Sequence, residues 1–375
     1  MKVAEKFDRW VADGPFTSAD LGIYRIIYAL CALFTAPDIA WLAREPDFLF
    51  HAPPGPLRLF SAFPSVTTLI ALEVLRTVVL ILLGLGLWTK VVSLCTAVIL
   101  MITYGLTYCM GNIDHNVLVI IVPLVLAFAH WGDRCSLDAL RHRRAPLPQQ
   151  QWPLRLLAIL IGWAWFGAAL TKLLTGWLSF SSEAARGYFV VKYLTVGRQF
   201  GLADWIAVHD WPVAWEALDW VTVFFEFSIL LAVPWWRAFR ITLAIATIFH
   251  LSVLLIMNID FNHAVIAYGA FVSWAAVGRS MGANRLGESP SVAGLGSVLS
   301  SSTRAYLILI PAGVAVGAVA WFLMVHPVGT MATGLISGTV IIVIGALAGL
   351  CYLLAESRSA VAVIAQRPSD SSHTS

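Results

Sequence analysis

The chain has 375 residues, of which 59% are hydrophobic and only 12% are charged, and its formal net charge is +3. Soluble proteins carry roughly 25% charged residues, so this composition excludes an ordinary soluble domain, and the mean hydropathy of +0.81 indicates a lipid-covered protein. The basic residues are too few and too dispersed for a nucleic-acid surface. The five cysteines form no Cys-x-x-Cys pair, which argues against a zinc knuckle or a dithiol redox site.

Ten apolar runs are long enough for membrane helices, because a bilayer core of about 30 Å needs about 20 helical residues. The first begins at Leu21, after a charged lead, and its length to about Trp41 is typical of a membrane helix rather than of a cleaved signal peptide. No alternation typical of lipid-facing strands occurs. The predicted fold is therefore all-α, a polytopic transmembrane helix bundle with spans near 21–42, 67–88, 91–111, 115–131, 155–175, 214–235, 238–258, 263–278, 305–325 and 329–354.

The lysines and arginines predict the orientation of this bundle, since cytoplasmic loops carry an excess of them. Sixteen lie on the side of the N-terminus, and the other side holds five, namely Arg44, Arg58, Arg186, Lys192 and Arg198. Both termini are therefore predicted to be cytoplasmic. The predicted domains are a transmembrane core of about eight helices over 1–278, a cytoplasmic linker over 279–303, a two-helix transmembrane appendage over 304–356 and a disordered tail over 357–375.

Tryptophans crowd the end of the long outer connection at 178–213, which contains or precedes Trp205, Trp211, Trp215 and Trp220. Tryptophan at such positions is typical of the belt at a membrane–water interface. A floor for a binding site is the alternative interpretation of the same cluster.

Ionisable groups inside apolar spans are costly, so they are the first candidates for function. Several of them fall toward the outer ends of different spans, and we expect them to face one outward-opening cavity. Glu226 lies near the middle of the sixth predicted span. The groups near the outer ends are Glu73, His115, Lys172, His250, Asp260 and His263. Glu226 is a further candidate that lies deeper in the membrane.

Each of these groups also has a structural interpretation. Glu73 and Arg76 are three residues apart on one helix and can form a mutual ion pair. Arg25, at the inner end of its span, can extend to the headgroups. Glu226 can be paired or buried in neutral form, and His263 can be solvated in an exposed turn.

Lys172 is the favoured catalytic base for a physical reason. Desolvation disfavours the charged form of a lysine, and the neutral amine can then act as a general base. His115 could orient a hydroxyl or hydrogen-bond a developing oxyanion. A lysine that extends to the outer headgroups, and His250 as a hydrogen-bonded core histidine, are the alternatives. No His-x-x-x-His or Glu-x-x-His pair is present, so no metal site is expected.

Five segments over roughly 15–278 resemble the horizontally-transferred transmembrane domain (HTTM) family, in order and with matching gaps. They are Ser18-Ala19-Asp20-Leu21-Gly22-Ile23-Tyr24-Arg25, Asp114-His115, Trp131-Gly132-Asp133-Arg134-Cys135-Ser136-Leu137-Asp138, Lys172-Leu173-x-x-x-Trp177 and Phe249-His250. The best-known member of that family is the vitamin K-dependent γ-glutamyl carboxylase. Its catalytic lysine, in the same Lys-Leu-x-x-x-Trp context, is the base that acts on vitamin K hydroquinone.

The resemblance implies a site with Lys172 as the base and His115 as its catalytic partner. The groups near the predicted cavity supply two further sets, one around the cofactor and another around the substrate. The cofactor-binding set is His250, Asn112, Asp114 and Trp177, and the substrate-binding set is Glu73, Glu226 and His263.

The implied function is that of a γ-carboxylase-like membrane enzyme, a carboxy-lyase and quinol monooxygenase. It would epoxidise a reduced quinone, either vitamin K or menaquinone hydroquinone. This reaction would be coupled to proton abstraction from a glutamate-containing substrate at the non-cytoplasmic face, and carboxylation would follow if that step is retained. O2 and CO2 are the expected co-substrates. Membrane lipids and a secreted or exported peptide are the expected partners, and a bacterial protein of this kind would lie in the cell membrane.

Two departures from the carboxylase separate this chain from it. Two further predicted helices and a short tail follow the predicted core, where the carboxylase has a large lumenal domain, and Thr171 stands where the carboxylase has a lysine before the catalytic one. The alternative is a non-catalytic membrane protein, either a transporter or a peptide-maturation or immunity factor that keeps the fold. A transporter predicts that Lys172 pairs with Glu73 or Glu226, whereas an enzyme predicts that Lys172 lies near His115.

Overall fold

The computed structural model describes residues 3–53, 55–110, 116–142, 149–199, 201–280 and 330–365, and within these ranges the regular elements are all helical. The helices in chain order are α1 (Val3–Ala12), α2 (Ser18–Thr35), α3 (Val66–Leu85), α4 (Thr89–Tyr108), α5 (Val117–Leu126), α6 (Leu137–His142), α7 (Trp152–Leu174), α8 (Ala184–Thr195), α9 (Ala203–Val208), α10 (Pro212–Ala232), α11 (Trp236–Met257), α12 (Asn262–Tyr268), α13 (Trp274–Ser280) and α14 (Thr330–Ala365). Short 3-10 turns occupy Ala40–Arg44, Asp47–Leu49, Pro56–Leu59 and Gly269–Phe271. The predicted all-α class is confirmed for this part of the chain.

Six of these segments are long and apolar enough to cross a membrane, which is compatible with an integral multi-pass membrane protein. They are Ser18–Arg44, Val66–Leu85, Thr89–Tyr108, Trp152–Leu174, Trp236–Met257 and Gly338–Ser357. Each coincides with one of the ten predicted spans.

The other four predicted spans do not correspond to helices of this kind among the described residues. The run at 115–131 contains α5, an apolar helix of ten residues that includes Pro123, which lacks the N–H for a helical hydrogen bond. The run at 214–235 is helix α10, which is long enough but carries three carboxylates. The run at 263–278 is divided between α12, a 3-10 turn and α13. The run at 305–325 lies outside the described residues.

The chain divides into two compact units. Unit one comprises the described residues up to Ala168 and those from Phe261 to Ile341, and unit two comprises Ala169–Asp260 and the described residues from Ile342 onward. This division cuts across the predicted core at 1–278, whose boundaries with the linker and the appendage stay predictions. Helix α14 continues to Ala365, past the predicted beginning of the tail at 357.

In unit one, a buried arginine joins α2 to the segment that follows α5. The Arg25 side chain is fully buried and donates to the carbonyl of Trp131 at 2.8 Å and to that of Cys135 at 2.5 Å. Asp138 in the same segment accepts from the backbone N–H of Thr89 at 2.7 Å and so caps α4. Arg25 therefore binds backbone carbonyls rather than headgroups, and two of the segments that carry the HTTM resemblance contact each other.

The turn between α3 and α4 requires a glycine. Gly86 ends α3 in the left-handed conformation, with φ +70°, and its N–H donates to the carbonyl of Leu82 at 2.9 Å. A Cβ atom at this position would lie 2.7 Å from the guanidinium carbon of Arg25. The glycine thus permits both the turn and the close approach of the arginine.

In unit two, α8 and α9 cover the beginning of α10. Trp215 of α10 is buried in a cluster with Ala185, Phe189 and Ala203. Trp215 is therefore part of the protein core, whereas Trp205, which is exposed, suits the predicted interfacial belt.

Candidate functional site

The end of α7 places a tryptophan over a lysine. Gly176 follows the helix in the left-handed region, with φ +85°, and the N–H of Trp177 donates to the carbonyl of Lys172 at 3.1 Å. This is the hydrogen bond of a helix end closed by a glycine. It brings the indole of Trp177 to 5.3 Å from the Lys172 ammonium, within cation–π range. The Lys-Leu-x-x-x-Trp spacing therefore has a local structural cause.

Lys172 forms an ion pair with Glu226 of α10. Its Nζ atom lies 2.7 Å from Oε1 and 2.8 Å from Oε2, so a single ammonium contacts both carboxylate oxygens. The Glu226 side chain is only 5% exposed and that of Lys172 is 21% exposed. The glutamate is therefore enclosed by the protein, and the lysine is the end of the pair that remains accessible.

The buried face of α10 explains why Glu226 points into unit two. Asp219, Thr222, Val223 and Glu226 recur at helical spacing, and all four are buried. Asp219 accepts from the backbone N–H groups of Ala184 at 2.8 Å and Ala185 at 2.9 Å, and so caps the first turn of α8. Two carboxylates on one face therefore do different work: Asp219 holds α8, and Glu226 holds Lys172.

An exposed ion-pair network lies beside the beginning of α8. Arg186 contacts Glu183 and Asp210, and hydrogen bonds to these two carboxylates raise the pKa of its guanidinium. Because Arg186 is largely solvated, the network contributes little to stability. Its effect is to join α8 to the segment that precedes α10.

His250 is buried in the same unit as the pair. It lies on α11, next to Phe249, whose ring centroid is 5.6 Å from that of Phe225 on α10. The side chain of His250 is only 1% exposed. Unit two thus contains four of the predicted site residues, which are Lys172, Trp177, Glu226 and His250.

The remaining predicted site residues fall elsewhere. Glu73 and His263 belong to unit one, and His115, Asn112 and Asp114 lie outside the described residues. The catalytic pairing of Lys172 with His115, and the single cavity shared by all these groups, therefore stay predictions.

Glu73 and His263 have partners within unit one. Glu73 Oε1 accepts from the N–H groups of Ile39 at 2.6 Å and Ala40 at 3.1 Å. The described chain shows no ion pair between Glu73 and Arg76, in contrast to the structural interpretation above. His263 Nε2 lies 3.2 Å from the hydroxyl of Tyr104, so this histidine is tied to α4 rather than simply solvated.

The arrangement in unit two is suited to proton transfer. An ammonium and a carboxylate in contact carry no net charge together, and this makes their burial between apolar helices tolerable. The carboxylate can accept a proton while the ammonium stays beside it. Within the described ranges, no group of three His, Cys, Asp or Glu side chains could hold a metal ion.

The sequence did not predict the structural roles of two residues, Asp219 and Tyr104. The role of Asp219 was not predicted, because the sequence around a carboxylate in an apolar run does not show that it caps another helix 35 residues away. The role of Tyr104 was not predicted, because a tyrosine in an apolar span is usually an ordinary residue of the hydrophobic core. For Asp219 the available signal was its spacing of seven residues from Glu226, which puts both carboxylates on one helix face.

The chain matches no family model, no curated protein and no solved structure. The likeness to the HTTM family therefore stays a resemblance of ordered segments.

Proposed function

We propose that this protein is a multi-pass membrane enzyme that carries out acid–base chemistry on a reduced quinone, with Lys172 and Glu226 acting together as the proton acceptor. The observation that carries the proposal is the contact of one accessible lysine with both oxygens of a buried carboxylate. Buried ionisable groups in membrane helices are expensive and are retained for function. Lys172 is thus one half of the base rather than a lone amine.

The pair can accept a proton without leaving an isolated charge. A proton from a hydroxyl donor would pass to a Glu226 oxygen, and the Lys172 ammonium would stay beside the donor to balance the negative charge left there. Trp177 limits the positions open to the ammonium because its ring lies on one side of Nζ. In this arrangement Glu226 takes up the proton, and Lys172 binds and orients the donor.

The surroundings of the pair fit a reduced quinone. This group supplies a dissociable hydroxyl proton and two reducing electrons, and it carries an apolar tail. Lys172 offers the accessible polar contact, and the neighbouring Leu173 and Leu174 are exposed apolar side chains at the same end of α7. A polar head on Lys172 and an apolar tail along exposed leucines match the two halves of such a molecule.

The finer topology belongs to the same proposal. Ten spans with cytoplasmic termini would place the outer end of α7, and with it Lys172, on the non-cytoplasmic side of a cell membrane. What supports this is the excess of lysine and arginine on the opposite side. If carboxylation is retained, O2 and CO2 act as co-substrates and a glutamate-containing exported peptide is the acceptor.

A transporter that keeps the same fold is the second candidate, and one observation favours it. The transporter hypothesis predicts that Lys172 pairs with Glu73 or Glu226, and the pair with Glu226 is present. A lysine–carboxylate pair that exchanges partners could couple substrate movement to protonation. The two candidates differ in whether the quinol is chemically changed.

The deciding experiment is quinone oxidation by the purified full chain. Protein in detergent or nanodiscs is incubated with reduced menaquinone or vitamin K and O2, and the quinone products are identified by mass spectrometry. We expect epoxide from wild type, at least about a hundredfold less from Lys172→Ala, and a similar loss from Glu226→Gln, in line with removal of a general base.

Lys192→Ala is the matched control. Lys192 also lies over an aromatic ring, at 5.2 Å from the Tyr188 centroid, but it pairs with no buried carboxylate in the described chain. This variant should retain wild-type activity. Folded wild type that produces no epoxide from any quinol would contradict the enzyme, and uptake of a solute by proteoliposomes that depends on Lys172 would establish the transporter.

A further inference from the structure

Unit one contains a buried arginine whose charge is not neutralised by a contact. Arg76 lies near the middle of α3, an apolar helix, and its side chain is only 6% exposed. Its Nη1 atom is fully buried and has no hydrogen-bond partner in the described parts of the chain. A buried N–H without an acceptor is unfavourable, and a buried charge without a partner is more so. Such an atom in a membrane helix points to an anion that completes the site.

Two carboxylates lie near the arginine, but within the described residues neither forms an ion pair with it. Glu73 and Asp38 are close enough to act on Arg76 electrostatically, but Oε1 of Glu73 is already bound by the N–H groups of Ile39 and Ala40. Asp38 is exposed and accepts from the N–H of Ala40 at 2.9 Å. Both carboxylates therefore serve the turn that follows α2.

Polar groups from two other helices lie near the arginine. Tyr104 on α4 is 2% exposed and is an electrostatic neighbour of Arg76. Its hydroxyl lies 3.2 Å from Nε2 of His263. The phenol of Tyr104 and the imidazole of His263 are thus in contact, and the guanidinium of Arg76 is an electrostatic neighbour of the phenol. These three groups, from α3, α4 and α12, are the polar centre of unit one.

We propose that this centre binds a singly charged oxyanion, the carboxylate or phosphodiester of a small amphiphilic molecule. The planar guanidinium can bind two oxygens of such a group and supplies the positive charge that attracts it. Tyr104 can donate a further hydrogen bond from its hydroxyl. The site is independent of the Lys172 pair, because all of its residues belong to unit one.

The test is ligand-dependent stabilisation of the full chain in detergent, with octanoate as the carboxylate probe and octanol as its uncharged counterpart. Octanoate should raise the melting temperature of wild type saturably, and octanol should not. Native mass spectrometry with phosphatidylglycerol and phosphatidylcholine supplies the second arm. Selective retention of phosphatidylglycerol without an octanoate effect would support the site with a lipid phosphodiester as its ligand.

Three variants connect the effect to the site. Arg76→Met should weaken binding by about tenfold or more, and Tyr104→Phe by a few-fold, as expected for charged and neutral hydrogen bonds respectively. Arg44→Met, at an exposed arginine of the same unit, should bind as wild type does. Equal binding by wild type and Arg76→Met would overturn the proposal, as would the absence of any effect of either anion on wild type. If Arg76→Met does not fold, unchanged binding by Tyr104→Phe together with equal effects of octanoate and octanol would overturn it.

Discussion

Removing one partner of the Lys172–Glu226 pair should destabilise the protein by unequal amounts. Lys172→Met leaves a carboxylate that is only 5% exposed without its cation, whereas Glu226→Gln leaves an ammonium that is 21% exposed. A lysine can move its charge toward water along its flexible stem, and a buried glutamate cannot. The lysine substitution should therefore be the more costly of the two.

The size of the effect follows from the geometry. At a separation of 2.7 Å and an effective dielectric constant of about 20, the Coulomb attraction is about 6 kcal/mol. Much of that attraction offsets the desolvation of the two charges. We expect a loss of about 3–5 kcal/mol for Lys172→Met, the usual cost of stranding a buried charge, and about 1–2 kcal/mol for Glu226→Gln. The double variant Lys172→Met/Glu226→Leu should lie within about 1 kcal/mol of wild type.

The assay is a double-mutant cycle on the free energy of unfolding, closed by Lys172→Met, Glu226→Leu and their combination, with Glu226→Gln measured alongside. Unfolding in mixed micelles of dodecyl maltoside and dodecyl sulfate would be followed by tryptophan fluorescence and by circular dichroism. Glu183→Gln, which removes a partner from the exposed contact with Arg186, serves as the control and should have a much smaller effect. Equal losses from Lys172→Met and Glu226→Gln, together with a double variant whose loss is the sum of those from Lys172→Met and Glu226→Leu, would refute the buried contact.

Two further variants test the elements that position the pair. Gly176→Ala forces a side chain into a left-handed position, so it should destabilise the end of α7 by about 1 kcal/mol and lower quinol turnover. Gly187→Ala, inside α8 with open space around it, should be neutral or slightly stabilising; a lower melting temperature for Gly187→Ala than for Gly176→Ala would contradict this. Asp219→Asn should lose about 1–2 kcal/mol and accelerate amide hydrogen exchange at Ala184. Asp204→Asn, at an exposed partner of Tyr193, should leave exchange in α8 unchanged, and unchanged exchange in Asp219→Asn would contradict the cap.

Hydropathy predicted the spans that are continuous helices, but it did not predict where an apolar run is broken. At 263–278 the helix stops at Tyr268 and a 3-10 turn follows. The carbonyl of Gly269 in that turn accepts from the indole N–H of Trp274 at 2.8 Å. The same carbonyl also accepts from the backbone N–H of Val272 at 3.3 Å, so the turn and the indole together satisfy the backbone where the helix ends. The composition of such a run shows that it is apolar, but it does not predict the residue at which the helix ends.

The partners of the ionisable residues were harder to predict than the residues themselves. Lys172 and Glu226 stand out in the sequence because each is costly in an apolar helix. Their contact depends on the alignment of α7 with α10, and the periodicity of either helix alone does not determine that alignment. The same holds for Tyr104 and His263, which are 159 positions apart in the chain.

The position of Glu226 along α10 makes the roles of stability and chemistry separable. Glu226 follows the first residue of α10 by fourteen positions, about 21 Å of helix, and the face before it is occupied by α8 and α9 through Trp215 and Asp219. Because Asp219 and Glu226 are two turns apart on one rigid helix, loosening α8 need not break the ion pair. Asp219→Asn should therefore lower stability while quinol turnover per folded molecule stays near that of wild type. Glu226→Gln should show a similar loss of stability, about 1–2 kcal/mol, together with a large loss of turnover per folded molecule. If both variants lose turnover only in proportion to the unfolded fraction, the pair is structural and the proposed base must lie elsewhere.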